Sequence, residues 1–202
     1  MISFTKAHAC GNDFLIVTED AAAGRDWAEL TRRLCERNTG VGADGIEFFA
    51  WTGPRSGRIR LHNADGSIAE ISGNGTRCVA AWMAEATNAR AGDSLEIETD
   101  AGLRVCRVNA VHRGNEFTVD ITTGMGVPEF APRTVTIPGG VQVEGVVVNT
   151  GNPHFAKTWA MPLPIVPAPI TPTVFMSMIA SGIATPRLAP KTGARPGGTK
   201  NG

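Results

Sequence analysis

The stretch Ser72-Gly73-Asn74-Gly75-Thr76-Arg77-Cys78-Val79-Ala80-Ala81-Trp82-Met83-Ala84-Glu85-Ala86 limits the possible folds of this chain more than any other. Val79, Trp82, Met83 and Ala86 keep the i, i+3, i+4, i+7 spacing of one helix face, while Ala80, Ala81 and Ala84 make further sides apolar. A helix that is apolar on most sides cannot rest on a surface. It has to be enclosed, as when a sheet wraps around it, and Glu85 marks where it emerges to solvent. Gly73-Asn74-Gly75 opens the helix with a polar residue, Ser72, just ahead.

The material for such a sheet is present on both sides of this helix. Residues 2–8 and 13–18 read as strands around the turn-prone Cys10-Gly11-Asn12, and 45–51 and 57–62 continue the pattern. After the helix, 95–99, 102–108, 116–122, 134–137 and 141–148 are strand-like and bounded by Gly, Pro, Asn or Asp, with Phe117, Val119 and Ile121 alternating as a half-buried strand should. One more helix is predicted over about 26–36. Asp26 can cap it, Glu29 completes a capping box, and Trp27, Leu30 and Leu34 share a face.

Charge and composition narrow the function classes. With 19 basic and 19 acidic residues the formal charge is zero, so nothing electrostatic recommends nucleic acid or an anionic membrane as partner. No run approaches the roughly 20 apolar residues of a membrane span, and the N-terminus lacks the apolar core of a signal peptide, which makes the cytoplasm the expected location. Cys10, Cys35, Cys78 and Cys106 lie too far apart for a zinc knuckle or redox pair, so neither a metal nor a disulfide framework is expected.

The pattern changes abruptly near residue 157. From Gly145 to the end there is no Asp or Glu, and eight of the 13 prolines fall within 161–202. Proline removes backbone donors, so 158–202 is expected to be a disordered tail outside the fold.

The turn before the central helix is also where chemistry is expected. Free N–H groups at a helix start, together with the positive end of the helix dipole, make a place for a carboxylate or phosphate, and glycines let a ligand approach the backbone. A plain N-cap with a tight turn accounts for the same residues.

Five separated blocks carry a resemblance. They are Phe4-Thr5-Lys6-Ala7-His8 with Gly11-Asn12-Asp13-Phe14; Gly40-Val41-Gly42-Ala43-Asp44-Gly45; Asn63-Ala64-Asp65-Gly66-Ser67; Gly73-Asn74-Gly75-Thr76-Arg77-Cys78; and Gly151-Asn152-Pro153-His154. In this order they resemble the diaminopimelate epimerase family over about residues 1–157. The resemblance implies an α+β fold in which a mixed β-sheet wraps around a central helix. It also implies two pseudo-symmetric domains: 1–115 as the first, and 116–157 as the opening strands of an incomplete second. A weak internal echo fits this plan, since Gly11-Asn12 recurs as Gly151-Asn152 at an offset of 140.

What the resemblance implies about function is an amino-acid epimerase that interconverts LL- and meso-diaminopimelate in lysine and peptidoglycan precursor synthesis. It would use two thiols on opposite faces of the α-carbon and no cofactor. Ser72 would occupy the position of the first catalytic Cys, and Asn12, Asp44, Asn63, Gly73, Asn74 and Asn152 would match substrate-binding positions. The partner is a small-molecule amino acid, and the complete family member is expected to be a homodimer.

Two departures put turnover in doubt. A serine hydroxyl is far less acidic than a thiol, whose pKa of about 8.5 a helix start can lower further. Cys78 reads as core, Cys10 as a weaker substitute thiol, and Glu70 as a solvated strand residue rather than a base. The family's second Cys turn, projected by the repeat to about position 212, does not occur, so the chain is expected to be truncated or frameshifted after about residue 157. The rival expectations are an inactive fragment or pseudoenzyme that keeps a carboxylate-binding helix start, and a related isomerase of the same fold with a non-thiol base.

Overall fold

The computed structural model describes residues 1–114, 116–149, 153–157, 173–174 and 181–184. Strands β1 (Ile2–Ala9) and β2 (Asn12–Thr18) pair antiparallel across Cys10 and Gly11, which both take positive φ (55° and 83°). Left-handed backbone at both loop positions lets a two-residue turn follow the twist of the strands.

Helix α1 (Trp27–Cys35) follows, and the Asp26 side chain accepts from the Glu29 amide at 3.1 Å. Its buried side chains Leu30, Leu34 and Cys35 pack with Ile46 and Phe48 of strand β3 (Gly45–Gly53). Asp26→Ala is expected to lower stability by about 1 kcal/mol, the usual worth of an N-cap. Urea denaturation reads this, and an unchanged midpoint would mean that the cap contributes nothing.

The chain continues through β4 (Ser56–Asn63), the two-residue β5 (Ile68–Ala69), helix α2 (Gly73–Ala86), β6 (Ser94–Thr99), β7 (Gly102–Arg113) and β8 (Phe117–Thr123). It ends in β9 (Glu129–Ile137), β10 (Val141–Asn149), β11 (Pro153–Lys157), β12 (Thr173–Val174) and β13 (Ser181–Ala184). One sheet of ten strands runs β12-β8-β7-β6-β4-β3-β2-β1-β13 with β5 beside β4, and β9, β10 and β11 form a separate three-stranded sheet.

Two neighbouring pairs in the large sheet are parallel, β2 with β3 and β4 with β6. Parallel neighbours need a crossover, and here each crossover is a helix. Helix α1 covers one face, and α2 lies against the other. Cys78, Val79, Ala80, Ala81, Met83 and Ala84 of α2 are fully buried among side chains of β1, β2, β3, β4, β6, β7 and β8. Helix α2 is therefore enclosed by sheet, as its apolar pattern requires, with Glu85 half-buried and Ala86 exposed at its far end. Strand β3 serves both packing layers, and Gly45 through Phe49 are all buried.

Several limits differ from the sequence expectation. Strand β8 pairs with β7 in the large sheet, so the expected boundary at 115/116 falls inside a hairpin, and the change of sheet comes between Thr123 and Glu129. Cys106 and Val108 of β7 and Phe117, Val119 and Ile121 of β8 all pack against α2, although the register of the pair shifts between Val108 and Ala110. Strand β9 begins at Glu129, earlier than expected, and includes Pro132, which an edge strand tolerates because one side of its backbone has no partner. Strand β5 is too short for alternation to reveal it.

The expected tail is corrected at six residues. Thr173–Val174 pairs with Val119 and Asp120 of β8, and Ser181–Ala184 pairs with residues 2–5 of β1. Neither stretch contains proline, and each covers a strand that would otherwise present an open edge. The rest of 158–202 lies outside the described residues. Among the described residues no helix is long and apolar enough to cross a membrane.

Candidate active site

Helix α2 starts under a cleft of about 490 Å³, and six of the seven expected site residues line it: Asn12, Asp44, Asn63, Ser72, Gly73 and Asn74. They come from four separate stretches, namely the start of β2, the loop before β3, the end of β4 and the start of α2. Asn152 lies outside the described residues. Phe14, Leu61, Ile71 and Met125 supply an apolar wall, and Arg77 adds a guanidinium.

Ser72 combines the two readings that the sequence left open. It is the N-cap of α2, with extended backbone (φ −123°, ψ 121°), and its Oγ accepts from the Gly75 amide at 3.1 Å. Its carbonyl accepts from the amide and the hydroxyl of Thr76, each at 2.8 Å. The cap residue is thus also a cleft residue. The amides of Gly73 and Asn74, at the first two helical positions, have no intrahelical partner by the geometry of a helix start. No acidic residue occupies the first turn, so the positive end of the helix is not neutralised from within.

A polar network fixes the opposite rim. Asn12 donates from Nδ2 to Oδ2 of Asp44 at 2.5 Å, and the same oxygen accepts from the Asp13 amide at 3.1 Å. Arg37 bridges Oδ1 of Asp44 and Oδ1 of Asp13, each at 2.8 Å, while Lys6 reaches Asp13 at 3.1 Å. Burial would raise the Asp13 carboxyl. The hydrogen bonds and charges of Arg37 and Lys6 outweigh it and hold the group at about 2. Asp44 is therefore tied to the frame and to Asn12, a role in orienting Asn12.

The network crosses the cleft. Asn74 Nδ2 approaches Asn12 Oδ1 at 3.4 Å, and Arg77 Nη2 donates to Asn74 Oδ1. Asn63 is held from the side, its Nδ2 donating to Ser67 Oγ at 3.0 Å. Every amide side chain of the site that the structure describes is thereby oriented by a neighbour.

Sequence pattern alone assigns no role to Arg77, Met125, Arg37 or Glu47. Arg77 stands four residues after Gly73 on α2, a spacing that brings it back over the first turn, and Met125 approaches Gly73 from the segment between the two sheets. Helical spacing could have singled out Arg77. Nothing local marks Met125. Among the thiols, Cys78 is fully buried in α2 and burial pushes it far up, Cys35 is pushed up to about 12, and exposed Cys10 sits at the β1–β2 turn outside the cleft lining. Glu70 is exposed and does not line the cleft.

Residues 4–131 match the family model described as diaminopimelate epimerase. The chain is 33% identical over 180 residues to a diaminopimelate epimerase of Methanocaldococcus jannaschii, an alignment covering 76% of this chain and 59% of that protein. It is likewise 33% identical to one of Halothermothrix orenii, over 76% of this chain and 58% of that one. The chain thus spans about three-fifths of the length of these relatives. In fold it resembles a probable proline racemase of Agrobacterium radiobacter, solved with bound carbonate, with a TM-score of 0.57, 16% identity, and coverage of 77% of this chain and 51% of that one.

Proposed function

Because this chain belongs to the diaminopimelate epimerase family, we propose that its cleft is one half of an active site that inverts an α-carbon of diaminopimelate without a cofactor, in the cytoplasm and within a homodimer. The α-carboxylate rests on the uncapped amides of Gly73 and Asn74 at the start of α2, where the helix dipole stabilises negative charge that spreads from the α-carbon as its proton leaves. Ser72 borders the reacting carbon. Asn12, Asn63 and Asn74 pair the ammonium and carboxylate groups of the substrate, Asn152 is a further substrate contact, and Arg77 holds Asn74.

The observation that carries this reading is the convergence of Asn12, Asp44, Asn63 and Ser72-Gly73-Asn74 on one cleft at an unneutralised helix start. A second reading, binding without turnover, is favoured by Ser72, whose oxygen is already engaged as a cap acceptor.

Calorimetric titration with meso-diaminopimelate tests the site. Binding is expected, with pimelate, which lacks both ammonium groups, at least tenfold weaker. Asn74→Ala is expected to weaken diaminopimelate about tenfold, equivalent to roughly 1.4 kcal/mol and the worth of one hydrogen bond to a charged group. Equal affinity for pimelate, or no effect of Asn74→Ala, would sink the proposed contacts.

A further inference from the structure

Strand alternation places position 47 on the face of β3 that packs against α2, between Phe49 on the same strand, Ile16 across in β2 and Leu61 across in β4. Every rule of burial asks for an apolar residue there. The chain instead has a glutamate, fully buried, with neither carboxyl oxygen hydrogen-bonded to anything. Buried polar groups nearly always have partners, and an orphan of this kind calls for a reason.

Its position suggests one. A Cβ on Gly75 would collide with Oε1 of Glu47 and lie 3.3 Å from the Ser72 Cβ, so the carboxyl and the Ser72 Cβ flank the same methyl-sized space at the first turn of α2, with no hydrogen bond to the carboxyl in this structure. Ser72 Oγ uses one lone pair to accept from Gly75, which leaves its O–H to donate. The carboxyl lies on the buried side of that turn and the cleft on the other.

We propose that Glu47 is the proton acceptor behind Ser72, so that the two together do the work of a single thiol. The inference rests on the proposed reading of the cleft as a diaminopimelate site. In the step, the bond between the α-carbon and its hydrogen breaks and that proton bonds to Ser72 Oγ. The original hydroxyl proton moves to Oε1 of Glu47, and the electron pair stays on the α-carbon and its carboxylate beside the helix start. Return of the protons along the same path restores the substrate on the same face. Solvent deuterium enters through the Ser72 hydroxyl, which lines the cleft. Glu47 touches no substrate and acts through Ser72.

Burial also suits the group to the task, because desolvation raises the Glu47 carboxyl to about 8, close to the range where a general base works best. From α2 the titratable neighbour that feels its charge is Cys78, while β2 and β4 present Ile16 and Leu61.

Deuterium incorporation at the α-carbon of diaminopimelate, followed by NMR in heavy water, tests the pair in the chain as it stands. Wild type is expected to exchange at least tenfold faster than heat-inactivated protein, with a rate that rises through pH 8 and then levels. Glu47→Gln and Ser72→Ala should each lower the rate at least tenfold. The double variant should be no slower than either single one, as for groups acting as a unit. Circular dichroism and calorimetric binding on each variant separate loss of exchange from loss of fold or of ligand.

Failure of wild type to bind diaminopimelate would overturn the reading of the cleft. Binding without exchange, or exchange whose rate and pH profile survive Glu47→Gln, would overturn the role of Glu47 alone.

Discussion

Replacing Gly75 with alanine should destabilise the chain by about 3 kcal/mol, at the upper end of what overpacking a core usually costs. Gly75 lies inside α2 with ordinary helical backbone, where alanine normally gains up to about 1 kcal/mol over glycine. The added methyl, however, would enter the space held by Oε1 of Glu47. That side chain cannot swing aside, because Ile16, Leu61 and α2 enclose it. In the Glu47→Ala background the same substitution should lose most of its cost. A thermodynamic cycle from urea denaturation measures the coupling, and additive effects would show that the two residues do not compete for space.

The second large effect concerns pH. The Glu47 carboxyl moves from an ordinary 4.5 to about 8 because burial disfavours its charged form. The folded state therefore holds a proton that the unfolded chain has released, and between those values the slope of stability with pH is negative. The contribution is fully present below about 4.5 and is lost as pH rises through about 8. At about 1.4 kcal/mol per unit, wild type should lose roughly 3–5 kcal/mol between pH 5 and 9. Glu47→Gln, which stays neutral, should remove most of that slope. Asp13, held near 2, acts with the opposite sign and only in acid, where protonation takes away its contribution. Wild type and Glu47→Gln with parallel stability curves across this range would mean that Glu47 is ionised in the folded state.

The elements legible in the sequence are those whose signal is periodic. Helix α2 declared its enclosure through an apolar surface on most sides, and Asp26 with Glu29 marked the start of α1 within one residue. The six cleft residues were legible for a different reason, since glycine and asparagine turns have strict local requirements that survive as short blocks. Glu47 was invisible. Inside Gly45-Ile46-Glu47-Phe48-Phe49 a single charged letter reads as the exposed side of a strand, and only the packing of α1 against one face and α2 against the other shows that β3 has no exposed side there. Arg37 was hidden likewise, because its two carboxylate partners come from elements that meet only in three dimensions.

The order of strands in the large sheet also governs how the half-site assembles. From β8 back to β1 each strand lies beside one that is near it in sequence, and the single skip, β4 to β6, spans only β5 and α2. Contacts between segments close in sequence form with small loop-closure entropy, so such sheets fold quickly. During synthesis the β1–β2 hairpin and β3 can pair before α2 emerges. Pairing of β6 with β4 closes the crossover that carries α2 and so sets its first turn beside Asn12. The polar rim of the cleft is thus drawn from the first 77 residues synthesised and can form before β9 exists, with Met125 closing the apolar wall afterwards.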